Sequence, residues 1–282
     1  MTLSVVIITF NEEANLARTL ASVQPLVADG KGEIIVVDSG STDRTVEIAK
    51  SFGAKVFVEE WKGFAAQKNS AIDKAAGDYV LSLDADEEAG TDLALEIQTI
   101  LKNPPREYKF HQKLADGTSS PIFINGFRIP RKNYFLGRWI RHGGFWPDPK
   151  LRLFRRKTGR FKDAAVHETL EVMEYQTNWG GIVSKRLRGS LIHHSYPTLS
   201  DYIEHMNRYS SLGAEMVLAK SNSKVRFSVI NIVLRPLATF VYNYFFRLGF
   251  LDGREGLLLH LYHAVYVSWK YAKAWELSRK RP

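Results

Sequence analysis

Apolar residues in the first hundred positions follow two alternating periods. Residues 4–10 (Ser-Val-Val-Ile-Ile-Thr-Phe) form an unbroken, largely β-branched run, the pattern of a strand covered on both faces in a parallel sheet. Asn11 then offers a helix N-cap, with Glu12 and Glu13 as an acidic first turn. Leu16, Leu20 and Val23 follow at helical spacing. Residues 33–38 read as a second strand running into Ser-Gly-Ser-Thr-Asp, followed by a helix with Val46, Ile48 and Ala49 inward. Residues 55–58, 65–76 and 79–83 continue as strand, helix and strand. Strands alternating with helices at this interval predict an α/β fold, a mostly parallel sheet with right-handed crossovers.

Beyond a helix predicted over 92–101, Pro104-Pro105 ends the regular pattern. Residues 110–130 read as less regular, strand-rich chain, 151–155 as a short strand before a Lys-Thr-Gly turn, and 202–219 as a helix. From Val225 the chain is aromatic and apolar, broken by charge. Its longest charge-free runs, 236–246 and 256–269, are shorter than the ~18–20 apolar residues of a membrane-spanning helix. Arg235, Arg247, Lys270, Lys273 and the basic end 279–281, mixed with Trp and Tyr, suit helices lying in a membrane interface. The alternative is a small helical subdomain packed on the main one. The expected organisation is a nucleotide-binding half over 1–103, an acceptor-binding half over 104–200, and a helical extension over 201–282.

Charge sharpens this division. The 282 residues carry a net +9, yet residues 1–127 are net −7, 128–162 net +11, 163–224 net −1 and 225–282 net +6. A basic block on an acidic first half predicts an anionic partner for the later segments, whether nucleic acid, phosphorylated glycolipid or membrane surface. With no cysteine, disulfides, zinc–thiolate sites, iron–sulfur clusters and cysteine nucleophiles are excluded. The start lacks a basic leader and a small-residue cleavage site, so no secretory signal is expected and the chain is placed in the cytoplasm, peripheral on the inner membrane face.

In an open parallel sheet, ligands bind beyond the carboxyl ends of the strands. Three polar clusters lie there: Thr9-Phe10-Asn11-Glu12, Asp38-Ser39-Gly40-Ser41 and Asp84-Ala85-Asp86. Neither Gly-x-Gly-x-x-Gly after the first strand nor a Gly-Lys-Ser/Thr loop occurs, so the backbone phosphate cradles of dinucleotide and P-loop enzymes are missing. Asp84 and Asp86, bracketing one small residue at a strand end, suit a hard cation, Mg²⁺ or Mn²⁺, whose shell substrate phosphates complete; a solvated acidic turn continuing into Glu87 and Glu88 is the plainer alternative. Asp38 is placed to accept from a base N–H or a ribose hydroxyl. Lys68 is either a phosphate partner or an idle surface lysine.

These clusters, with Gly63-Phe64-Ala65-Ala66-Gln67-Lys68-Asn69, resemble in order and position the signatures of family 2 glycosyltransferases of GT-A fold. The resemblance implies that Thr9, Asn11, Ser41 and Ala85 belong to the nucleotide-sugar site, that Phe10 and Glu12 flank the nucleobase and Asp38 binds it, that Asp84 contacts the ribose, and that Asp86 ligates the metal. Lys68 stands where members often carry arginine. Residues 131–140, 142–148, 151–156, Val166-His167-Glu168 and 249–253 resemble the lipopolysaccharide inner-core β-glucosyltransferases, which implies transfer of a hexose, as from UDP-glucose, to an anionic glycolipid with inversion at the anomeric carbon.

Inversion by direct displacement requires a carboxylate base beside the acceptor. Glu168 is the first candidate, though His167-Glu168 departs from the family's common Glu-Asp order, and Asp148 is the second. His193-His194 also invites a metal reading, but adjacent strand residues face opposite ways, so at most one points into the site. Arg138 and Arg141 are expected to bind acceptor phosphate or carboxylate, with Trp139 and Trp146 as platforms for sugar rings. Transfer to polyprenyl phosphate, a basic nucleic-acid-binding protein and a catalytically dead sugar-binding module are the competing readings. Nucleic acid would require a recognised binding module and leaves Asp84 and Asp86 without a purpose.

Overall fold

The β-branched run forms β1 (Leu3–Thr9), and the expected alternation follows as α1 (Leu16–Val27), β2 (Gly32–Asp38), α2 (Thr45–Ser51), β3 (Lys55–Val58), α3 (Phe64–Asp73) and β4 (Tyr79–Asp84). A short β5 (Glu87–Ala89), α4 (Thr91–Lys102), β6 (Tyr108–Lys113) and β7 (Ser119–Ile129) come next, then β8 (Arg131–Phe135) and β9 (Arg138–Trp139). The chain continues through β10 (Lys150–Arg155), β11 (Gly159–Lys162), β12 (Thr169–Val172), β13 (Ile182–Arg186) and β14 (Leu191–Tyr196), and ends with α5 (Leu199–Lys220), α6 (Arg235–Val241) and α7 (Gly253–Lys280). This computed structural model describes residues 1–104, 108–113, 119–162, 169–172, 182–221 and 225–280. They fall into two units, one from residues 1–131, 149–162 and 169–193, the other from 132–148 and 194–280. The segment 132–148, assigned from sequence to the acceptor-binding half, thus groups with the C-terminal helices.

The first unit is built on a sheet of order β13-β7-β10-β4-β1-β2-β3, with β6 beside β7. Strands β4, β1, β2 and β3 are parallel, whereas β10 runs antiparallel to both β4 and β7. Leu3, Val5 and Ile7 pack with Leu16, Leu20 and Val23 of α1 and with Leu93 and Ile97 of α4. Val6, Ile35, Val37 and Val80 pack on the opposite face with Ala65, Ala71 and Ile72 of α3. Helices cover both faces, so the strands need no polar alternation.

Strand β1 has β2 on one side and β4 on the other, and the chain order turns back there, so the carboxyl ends open into a crevice. The parallel registers pair Thr9 with Asp38 and Ile8 with Asp84, bringing all three polar clusters to one level. Asn11 does not cap a helix as expected. It lies in the left-handed region at φ 54°, and α1 starts only at Leu16, after a turn in which the Asn15 and Leu16 N–H groups donate to the Glu12 carbonyl. Instead, Asn11 Oδ1 accepts from the Thr42 N–H at 2.9 Å and the Asn11 N–H donates to Ser41 Oγ at 2.8 Å. Tying one strand-end loop to the next is thus its role.

In the second unit, Tyr134 of β8 pairs with Trp139 of β9. Helix α5 starts at a reciprocal capping box between Thr198 and Asp201. Helix α6 is flanked by π turns at Ile230–Leu234 and Tyr242–Phe246, and a 3₁₀ turn at Gly249–Asp252 leads into α7. Among the described residues no helix is long and apolar enough to cross a membrane. Phe135, Ile140, Tyr202 and Leu259 form the local core. Beside it His260 is 1% exposed, and among the described residues neither ring nitrogen has a hydrogen-bond partner. A Cβ on Gly143 or Gly249 would lie 2.0 or 2.3 Å from that ring, so both positions require glycine.

Burial, then the nearby His263 and Arg247, lower the His260 pKa to about 4 against an opposing pull from Asp252. The folded chain therefore holds this proton less tightly than the unfolded one, and stability is lost as pH falls from about 6.5 towards 4. The full loss from this group is about 3 kcal/mol. A ring titration by NMR is expected to give a pKa well below 6, and an ordinary histidine value would contradict the burial.

Candidate active site

Asp84 closes β4 inside a ladder of buried charge. Its Oδ1 lies 2.7 Å from Lys68 Nζ, delivered by α3, and its Oδ2 lies 2.5 Å from Arg152 Nη2, delivered by β10. The same Arg152 nitrogen is 2.8 Å from Glu87 Oε1, which Arg131 Nη1 approaches at 3.2 Å. Glu87 Oε2 accepts from the Asp84 N–H at 3.1 Å. Glu87 is fully buried, and Lys68 and Arg152 are nearly so. Charges this deep are tolerated only when paired and hydrogen-bonded. Burial opposes ionisation of Asp84, but Arg152 and Lys68 prevail and hold its carboxyl well below the usual range. Lys68 is therefore no idle surface lysine, and Glu87 is no solvated turn residue.

Asp86 stands outside this ladder. It lies at a turn after β4 and its carboxylate is 3.3 Å from His193 Nε2, with both side chains partly open to solvent. His194 points elsewhere and stacks on Tyr134 at 5.6 Å, as the alternation of a strand requires. The intervening Ala85 is buried, and its carbonyl accepts from Thr19 Oγ1 of α1 at 2.6 Å. Burial raises the Glu12 carboxyl; the Asn15 hydrogen bond opposes this, and Asp86, Asp43 and Asp84 add to it. Among the described residues no cluster of three or more His, Asp or Glu gathers at one point. Asp86 with His193 still fits a divalent ion, since Mg²⁺-type cations take one or two carboxylates and leave the remaining positions to phosphate oxygens and water.

The two loops beside β4 divide into a latch and an open platform. Asp38 is fully buried. Its Oδ1 accepts from the Gly40 and Ser41 N–H groups at 3.0 and 2.8 Å, and its Oδ2 accepts from Thr9 Oγ1 and Ser41 Oγ at 2.8 and 2.5 Å. Four donors fill the lone-pair positions of a carboxylate, so Asp38 is not the free acceptor expected for a base. Asp38, Thr9 and Ser41 instead shape the loop. Phe10, just past the end of β1, is 57% exposed.

The expected acceptor residues lie in the second unit. Trp139 and Trp146 meet edge to face at 5.2 Å, with Lys132 Nζ 5.0 Å and the Arg141 guanidinium 4.7 Å from the Trp139 ring. Trp139 is thus a cation-flanked ring rather than a bare platform. Asp252 accepts from the Arg141 and His142 N–H groups at 3.2 and 2.8 Å and meets His142 Nδ1 at 2.9 Å, which fixes the loop carrying Arg141. Arg138 turns towards α7, 3.7 Å from Glu255. Asp148 has φ 37° and accepts from Asn133 Nδ2 at 3.3 Å. Glu168 and His167 lie outside the described residues. Sequence reasoning missed the pairing of Glu87, Arg131 and Arg152, which joins positions 44 and 65 residues apart.

Replacing Arg152 with Met is expected to cost about 3–5 kcal/mol in urea denaturation, because Asp84 and Glu87 lose a buried partner. Arg18→Ala, which breaks the outer 2.6 Å bridge to Glu88, is expected to cost less than about 1 kcal/mol. Equal costs would contradict the ladder.

Comparison with known proteins identifies the family and the fold. The family model described as glycosyl transferase family 2 matches residues 4–157. An uncharacterized glycosyltransferase of Rickettsia typhi is 31% identical over 283 residues, 99% of this chain and 88% of its own. The lipopolysaccharide core biosynthesis glycosyltransferase LpsC of Rhizobium meliloti is 29% identical over 280 residues, 97% of this chain and 92% of its own. Among solved structures, the mannosyltransferase PcManGT of Pyrobaculum calidifontis, in complex with GDP-Man and Mn²⁺, superposes with a TM-score of 0.52 at 15% identity, covering 96% of this chain and 86% of its own. That similarity is one of fold, the GT-A arrangement.

Proposed function

The chain belongs to glycosyl transferase family 2, and on that footing we propose that it transfers a hexose, from UDP-glucose, to a lipopolysaccharide-core or related glycolipid with inversion of the anomeric carbon. The observation that carries the reading is the strand-end pair. Asp84 is immobilised by Lys68 and Arg152, while Asp86 stays outside the ladder opposite His193. The relative named for lipopolysaccharide core biosynthesis and the basic block over 128–162 support the anionic acceptor.

In this reading the exposed Phe10 ring stacks on the nucleobase, and Glu12 with Asn11 lines the same edge. Asp38, Thr9 and Ser41 hold the loop in shape. Asp84, kept ionised, receives the ribose hydroxyls. Asp86 and His193 would hold Mg²⁺ or Mn²⁺, which supplies Lewis-acid stabilisation of a departing diphosphate. A carboxylate, Glu168 or Asp148, takes the proton from the acceptor hydroxyl as that oxygen attacks the anomeric carbon. Arg141 and Arg138 bind acceptor anions, with Trp139 and Trp146 packing beside the sugars. The protein works at a membrane surface, on the cytoplasmic side.

UDP titrated calorimetrically with and without Mn²⁺ tests the donor half. Binding is expected to strengthen at least about tenfold with the ion, which corresponds to about 1.4 kcal/mol. His193→Ala and Asp86→Asn are expected to remove that gain while leaving metal-free UDP binding in place. A gain that survives both substitutions contradicts the assignment.

A further inference from the structure

The second unit carries an apolar face that no element among the described residues covers. From Ile230 to Phe245 the chain exposes Ile230, Val233, Leu234, Leu237 and Phe245, each with more than half of its surface in water. Their spacing of three and four residues, repeated one or two turns on, draws a single stripe along a helical run. At ~1.5 Å per residue the stripe extends roughly 20 Å. It continues onto the turn that joins α6 to α7, where Phe246 is 76% exposed and Leu248, Phe250 and Leu251 are also exposed. Scattered apolar residues on a surface need no explanation, but a contiguous patch of this extent marks an interaction site.

Charge identifies the partner. Residues 216–251 contain five Lys or Arg and no Asp or Glu. Cations along this element pair with aromatic rings: Arg235 stacks on Tyr271 at 5.2 Å and hydrogen-bonds its hydroxyl, and Arg247 lies 5.9 Å from the Tyr242 ring. Further along α7, Arg279 lies 5.1 Å from the Trp275 ring. Arginine and aromatic groups bordering an apolar stripe match the headgroup zone of a bilayer, where rings sit at the interface and cations meet anionic lipid. A second copy of the chain fits less well, because a two-fold contact through this stripe sets like charges against each other.

We propose that the face formed by residues 230–251 seats in one leaflet of an anionic bilayer as an in-plane anchor that does not span it. This deepens the glycolipid reading by bringing the chain to the surface where such an acceptor lies, and it depends on neither the donor nor the metal. The absence of cysteine makes the test direct. The full-length chain with Phe246→Cys, labelled with a polarity-sensitive dye, is mixed with vesicles of phosphatidylcholine alone or with about one-third phosphatidylglycerol. Emission is expected to shift to the blue only with the anionic vesicles, whereas the same dye at Lys50→Cys, exposed on α2, is expected to stay unchanged.

In flotation with the same vesicles, Leu237→Ser combined with Phe246→Ser is expected to reduce binding by at least about a hundredfold, since each replacement removes the transfer free energy of an exposed apolar side chain. Far-ultraviolet circular dichroism and UDP binding are expected to remain those of the parent. The absence of a blue shift, or flotation that the double variant leaves intact, overturns the proposal. So does a dimer in solution, without vesicle binding, that the double variant converts to monomer; a second copy would then cover the face. Vesicle binding that persists in a protein with no affinity for UDP sinks the transferase reading alone and leaves the membrane face standing.

Discussion

The site depends on the pairing of buried charges at the end of β4. Lys68, Asp84, Arg152, Glu87 and Arg131 form an alternating row of cation and anion, in which Lys68, Arg152 and Glu87 are almost sealed from water. Such a row adds little net stability compared with an apolar core, but removing one member leaves an uncompensated charge in place. It therefore acts as a constraint on position. Five elements, α3, β4, β5, β8 and β10, must meet for the row to close. Asp84 is held ionised by it, while Asp86, two residues on, lies outside the row and meets His193.

Much of this architecture was legible in the chain. The β-branched runs and the helical spacing of Leu16, Leu20 and Val23 led to the right order of strands and helices through β4, because burial on both faces leaves a strong periodic signal. The polar clusters at the strand ends met at one level for a simple reason: parallel neighbours in register place equivalent ends side by side. The expectation that at most one residue of His193-His194 points into the site follows from the two-residue period of a strand, and His193 is the one that meets Asp86.

What could not be read depended on long-range pairing. Arg152 and Asp84 are 68 positions apart, and nothing local in a basic strand says that one of its arginines is buried against an acidic turn. Glu87, within an acidic run, looks solvated until that partner is known. Asp38 matches the letters of a base-binding aspartate, yet its loop satisfies it with four donors, two of them backbone N–H groups that only the folded turn aims inward. Asn11 has cap chemistry but adopts a left-handed backbone. Local preference gave way in both cases to a link between neighbouring loops. The basic block divides similarly: Arg152 belongs to the charge ladder and Arg141 flanks Trp139, although composition treats the two alike.

The most direct test of the account is a crystal structure of the protein with UDP and Mn²⁺, with the ion located by its anomalous scattering. The account predicts manganese within coordination distance of both the Asp86 carboxylate and the His193 imidazole, bridged to the diphosphate, with Asp84 still held between Lys68 and Arg152. Manganese bound away from Asp86, or a diphosphate seated with Asp84 pulled free of Arg152, would contradict it.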